Sequence, residues 1–270
     1  MGDWQHALRA KYWLVKQTLR RAIDGHRFKS KLGPRAVEDC IVRRKIPHDI
    51  TSFTQGLAYC DGVLVESTGL MESSGVNLLD ASSGDCLRHA PIAQGWGEGC
   101  AVLDGRIFQL TWQDHKLLVY RYDDLELIER LDYPFEGWGL ASEGDSLYAS
   151  DGSDRIRRLS SSGETTGSIQ VTVGGTPLTG INDLEVVGAF FFCNVLFDEH
   201  IYCVDRSTGQ VVCAIDCWQL VSACRGSNPE NILNGIAFDG ESDALYVTGK
   251  RWPWIYELAL PVGISLVAAN

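Results

Sequence analysis

The block QGLAY (Gln55–Tyr59) opens a strand-like run, and the chain returns to a similar block four more times. The others are EGCAV (Glu98–Val102), WGLAS (Trp138–Ser142), NDLEV (Asn182–Val186) and NGIAF (Asn234–Phe238). Their anchors are separated by 43, 40, 44 and 52 residues, the range in which four-stranded propeller blades repeat. After each block comes a turn signal, such as CDG at Cys60–Gly62 or LDG at Leu103–Gly105, and then a second apolar run: VLVEST, RIFQLTW, SLYASDG, FFFCNVL or ALYVTGK. The expected fold is therefore all-β, a five-bladed β-propeller. Its third and fourth strands are read from stretches such as His200–Asp216, which turns at Ser207–Gly209. The fifth unit runs short of strands. The segment from Cys40 to Asp49 is expected to supply its outer strand and close the ring, removing a free seam.

Equivalent positions of a radial repeat lie on one ring, so Gln55, Glu98, Trp138, Asn182 and Asn234 are expected near the axis. First strands leave the anchor face and second strands return to it. That adds Ser67, Thr68, Trp112, Asp151, Leu196 and Lys250 to the same mouth. Some of these side chains are expected only to bond between blades, as buried polar groups must. Their clustering on one face points to a ligand site.

Composition bounds the rest. The 270 residues suffice for one large domain, and 45% hydrophobic with 22% charged content is that of a globular chain. A net charge of -11 disfavours nucleic acid as a partner. That charge is uneven: residues 1–45 hold 12 Lys+Arg against 4 Asp+Glu. The expected division is a basic, helical N-terminal extension (1–39), the propeller (40–262) and a tail (263–270). The helix would run from Trp4 to Ile23, packed on the propeller, acting as a transit peptide or touching a membrane surface. No apolar run reaches spanning length and no secretory signal is visible. With nine cysteines, no C-x-x-C pair and no N-x-[ST] site, a cytoplasmic or organellar location is favoured over secretion. A Cys217–Cys224 bridge is compatible with the sequence, and a monomer is expected.

In order and spacing, the strings IPHDITSFTQGL (from Ile46), WGEG (Trp96), LTWQ (Leu110), EGWGL (Glu136), SDG (Ser150), INDLE (Ile181), LNGIAFD (Leu233) and VTGKRWPWIYEL (Val247) resemble the glutaminyl-peptide cyclotransferases of the plant and bacterial type. The resemblance covers about Ile46 to Leu260. It implies a five-bladed propeller that converts N-terminal glutamine of peptides or proteins to pyroglutamate, releasing ammonia, with no metal and no cofactor. It implies Glu98 as acid/base, with Gln55, Asn182 and Lys250 as further catalytic groups. It also implies Phe53, Trp96, Trp112, Trp138 and Leu196 as the substrate-binding wall. Some positions depart from the family pattern: Trp96 replaces a phenylalanine, Leu196 a tryptophan, Met71 a tyrosine, and Asn77 stands near an expected arginine.

Read from the residues alone, Glu98 is the only acidic anchor, and one carboxylate can both accept and return the proton that a cyclisation needs. Gln55, Asn182 and Lys250 are the donors available to an oxyanion. Two other readings remain: a non-catalytic propeller that binds peptide N-termini, and a sugar-lactone hydrolase. The second would want several axial carboxylates around a metal and no lysine beside them.

Overall fold

The computed structural model describes residues 36–70, 73–92 and 95–261. The expected N-terminal helix, the tail and Met71 lie outside these residues. Five sheets surround one axis. Blade 1 comprises Thr54–Cys60, Val63–Thr68, Gly75–Asp80 and Cys86–Pro91. Blade 2 comprises Gly97–Leu103, Arg106–Thr111, Lys116–Arg121 and Leu127–Asp132, and blade 3 Leu140–Glu143, Ser146–Ser150, Arg155–Ser160 and Thr165–Gln170. Blade 4 comprises Ile181–Val187, Phe190–Val195, His200–Asp205 and Val211–Asp216.

Blade 5 begins with Leu233–Asp239, Ala244–Gly249 and Trp254–Ala259. Its fourth strand is Val42–Pro47, antiparallel to Trp254–Ala259. The ring thus closes as the sequence suggests. Ahead of that strand, Val37–Asp39 runs parallel to Val211–Asp216 as a fifth strand of blade 4. One N-terminal strap therefore ties two neighbouring blades.

Alternation within each strand builds the core. Leu57 and Leu64 face blade 5, packing with Ala237, Tyr246 and Ile255. Their neighbours Ala58 and Val65 face blade 2, packing with Cys100, Ile107 and Leu118. The same period-two rule fills the other blade interfaces. The helix Trp218–Cys224 adds Leu220 and Val221 to the layer between blades 4 and 5. Cys217 and Cys224 are both free, so the bridge is not formed. The Cys217 thiol instead meets that of Cys40, and Cys224 Sγ lies 3.2 Å from the Tyr256 hydroxyl.

Near the axis the inner strands break register at the anchors. The slips fall between Thr54 and Gly56, Gly97 and Cys100, Ile181 and Leu184, and Leu233 and Ile236. A bulge bends its strand and re-aims a side chain, and here the bulged residues include Gln55, Glu98, Asn182 and Asn234. Small residues let the bulges meet. A Cβ on Gly99 would sit 2.4 Å from the Leu140 nitrogen, and one on Gly139 would sit 2.1 Å from the Asn182 oxygen.

In blade 4 the corresponding position is Asp183, a second axial carboxylate where the sequence indicated only Glu98. Its Oδ2 accepts from Leu57 N (3.2 Å) and Ile236 N (2.8 Å), so one side chain joins blades 1, 4 and 5. Burial pushes its carboxyl well above the usual range, although the amides of Ile236, Leu57 and Leu184 favour the anion. Asp183→Ala leaves two buried N–H groups unpaired, at about 1–3 kcal/mol each. Chemical denaturation is expected to show a loss of about 2–6 kcal/mol, whereas Asp183→Asn, which keeps an acceptor, loses less.

Candidate active site

A cavity of about 120 Å³ opens at the anchor face. Its lining includes Phe53, Gln55, Trp96, Glu98, Trp112, Trp138, Asn182, Leu196 and Lys250, the residues the family resemblance implies, whereas Ser67, Thr68, Asp151 and Asn234, also expected at the mouth, do not line it. Leu70, Phe197, Glu230 and Ile232 complete it.

Glu98 leaves the blade 2 bulge toward the axis and is buried. Gln55 Nε2 donates to its Oε1 at 2.9 Å, and Asn234 Nδ2 lies 3.3 Å from Gln55 Oε1. Burial pushes the Glu98 carboxyl well above the carboxylate range. The Lys250 ammonium opposes this, and the charges of Glu136 and Asp183 add to it.

Lys250 follows the second strand of blade 5 and is buried as well. Burial lowers its pKa to about 8, against the pull of Glu98 and Glu230. Its Nζ stands 4.7 Å from the centre of the Phe53 ring, a cation–π distance. The backbone holds it from two sides: Lys250 N donates to Ile232 O, and Arg251 N donates to Ser52 O with Arg251 at φ +57°.

The wall is a chain of rings. Phe53 meets Trp96 edge-on at 6.2 Å, and Trp96 meets Trp112 at 5.6 Å. Trp138 packs with Leu196 and Ile232. Between the two wall indoles sits Glu136, which the sequence reading passed over as part of a family string. Its Oε2 accepts from Trp112 Nε1 (3.1 Å) and Trp138 Nε1 (3.4 Å). The signal was the E-G-W-G-L run itself, in which an acid two residues before a wall tryptophan can turn back onto it.

Two expected neighbours do other work. Asn234 spends its amide on the carbonyls of Thr54 and Gln55, both at 3.0 Å, and stitches blade 5 to blade 1. Asp151 pairs with Arg157 at 2.6 Å and caps Ser153. Neither lines the cavity.

A family model described as glutamine cyclotransferase matches residues 20–260. The chain belongs to the glutamine cyclotransferase family. It is 30% identical to a glutaminyl-peptide cyclotransferase of Arabidopsis thaliana over 235 residues, which is 83% of this chain and 72% of the relative. The crystal structure of Myxococcus xanthus glutaminyl cyclase is similar, with a TM-score of 0.78 and 31% identity over 83% of this chain and 97% of that one. These family relations agree with the five-bladed arrangement and with the fold the repeats imply.

The Glu136 bridge generates a test. Glu136→Leu removes the carboxylate that accepts from two wall indoles. KM for a glutaminyl dipeptide is expected to rise about 5–30-fold, from the one or two hydrogen bonds to a charged acceptor that are lost. Glu136→Gln, which still accepts, is expected to stay nearer the native value in steady-state kinetics.

Proposed function

We propose that this chain cyclises N-terminal glutamine of peptides to pyroglutamate and releases ammonia, with Glu98 as the proton carrier. The observation that carries this reading is the setting of Glu98: a buried carboxyl, oriented by Gln55, in an aromatic cavity that also holds one ammonium. A purely adhesive pocket has no use for a carboxyl raised toward neutrality.

The residues divide the reaction as follows. The cavity suits a glutamine side chain folded back so that its α-amine faces its own γ-carbon. Trp112, Trp138 and Leu196 exclude water and fix that fold, and such positioning replaces rotational freedom. The amine nitrogen attacks the γ-carbonyl carbon, and a C–N bond forms. Glu98 takes one proton from that nitrogen and hands it to the departing amide nitrogen. The old C–N bond then breaks, and the leaving NH₂ departs as NH₃. The oxygen that becomes negative between these steps is met by donors among Lys250 Nζ, Asn182 and Gln55. Every charge that develops has a partner in this chain, so turnover needs no added metal.

The first test is ammonia release from a glutaminyl dipeptide, with and without chelator. Turnover is expected to survive the chelator and to fall at least about 10²-fold in Glu98→Gln. Absence of turnover by the native chain over several dipeptides would instead leave a module that binds peptide N-termini.

The pH profile is a second test. The substrate amine must be free, so the rate rises through its pKa of about 8. Lys250 must be charged to donate, and burial has lowered its pKa to about 8, so the rate falls again above that pH. A narrow optimum near pH 8 is expected. Lys250→Arg, whose guanidinium stays charged, should remove the alkaline fall in kcat while lowering the maximum.

A further inference from the structure

A second cavity, of about 440 Å³, runs along the face of blade 1 that meets blade 5, beside the segment His48–Phe53. It is larger than the catalytic cavity and shares one wall residue with it, Phe53. Ser52 and Thr68 stand at its upper end and Gly84 and Asp85 at its lower end, so it leads from the mouth along the blade.

Its floor is a built ion pair. His48 Nε2 lies 2.9 Å from Glu66 Oε1, with the two side chains 2% and 1% exposed. His48 Nδ1 lies 2.8 Å from the Trp252 carbonyl, which can only accept, so Nδ1 carries a proton. Glu66 already receives Thr54 Oγ1 at 2.6 Å and Asn77 Nδ2 at 2.9 Å, as an ionised carboxylate does. The second ring nitrogen therefore donates too, and the pair is imidazolium with carboxylate. The hydrogen bonds and charges of this cluster outweigh burial, holding His48 above and Glu66 below its ordinary range.

That floor is internally neutral. What remains are Asp49 and Asp85, exposed acids occupied only by local hydrogen bonds: Asp49 by Thr51, and Asp85 by Ser83. Among the described residues no lysine or arginine lines the groove. Arg44, at its far end, is spent on Glu257 and on the carbonyls of Ala81 and Ser82. Arg251, near the mouth, lies over the Phe53 ring and 3.6 Å from Glu230.

We propose that this groove receives the residues that follow the N-terminal glutamine of the substrate, and that it favours lysine or arginine there. This deepens the cyclase reading and rests on it. In the cyclase reading the cavity of about 120 Å³ seats the folded glutamine, and the rest of a peptide leaves through its mouth. The groove begins on the other side of Phe53 and offers an acidic, polar track that passes the hydrogen-bonded pair Asn77 and His89.

The experiment compares Gln-Ala amide, Gln-Ala-Lys-Lys amide and Gln-Ala-Glu-Glu amide as substrates of the native chain and of Asp85→Lys. Thr51→Lys serves as a second variant that places a cation within the groove. The native chain is expected to prefer the lysine peptide over the glutamate peptide by about 3–10-fold in kcat/KM, the range for one or two partly exposed charge pairs. In both variants that ratio should fall to about 1 or below, while the dipeptide amide stays within about twofold of native. Equal rates for the two long peptides in the native chain would overturn the groove, as would a variant that slows all three substrates alike. If the dipeptide amide is not turned over, the cyclase reading fails by itself. The same three peptides are then titrated against the wall tryptophans by fluorescence, where a lysine preference abolished in Asp85→Lys supports the groove and its absence overturns it.

Discussion

One carboxylate holds the centre of this molecule. Asp183 takes backbone N–H groups from two neighbouring blades, and around it the inner strands approach so closely that Gly99 and Gly139 have no room for a side chain. Four inner strands bulge at the same level. The bulges turn Gln55, Glu98 and Asn182 out of the ladder and into the mouth. The proposed catalytic constellation is thus a by-product of how the inner strands meet, and the carboxylate at their meeting point does not line the cavity.

The same closure sets the electrostatics. Asp183 and Glu136 both push the Glu98 proton affinity up, and Lys250 pulls it down. Burial has the larger effect on both Glu98 and Lys250, in opposite directions in pKa. Burial thus brings both groups closer to neutrality than water would, while each favours the charged form of its partner, a balance that suits the proposed proton transfer. Glu136 links this balance to shape, since the charge that acts on Glu98 is also the acceptor for two wall indoles.

Much of this was legible in the sequence because a propeller repeats itself. Block spacing gave the blade number, and strand direction placed Trp112 and Lys250 on the same face as Glu98. The missing strand of the last unit pointed to the segment that holds Ile46. The failures share a cause. Periodicity places a residue at a level of the ring but does not say where its side chain turns. Asn234 occupies an anchor yet faces the backbone of blade 1, and Asp151 ends a second strand yet is taken by Arg157. Asp183 was hidden one position after an anchor, because a bulge breaks the alternation from which facing is read. Cysteine spacing misled in the same way: Cys217 and Cys224 are seven apart, but Cys40, distant in sequence, is the thiol that Cys217 meets.

The closing strand carries a consequence for how the chain acquires its structure. Val42 pairs with Leu258, and Pro47 with Trp254, across more than 200 residues. During synthesis the strand Val42–Pro47 emerges before the four blades that follow it, but its partner appears only after those blades have been made. Until then it is an unsatisfied edge, and the last blade is an incomplete sheet. Among the described residues ring closure is the strand pairing of longest range, and such long-range β pairing forms slowly. The strand reads VRRKIP, with three consecutive basic residues and a terminal proline. Those are the features that keep a waiting edge from pairing with another chain. In the finished ring Arg43 holds the Ser242 and Asp243 carbonyls, Arg44 pairs with Glu257 and Lys45 lies over the Tyr256 ring, so the same charges first guard the edge and then fasten it.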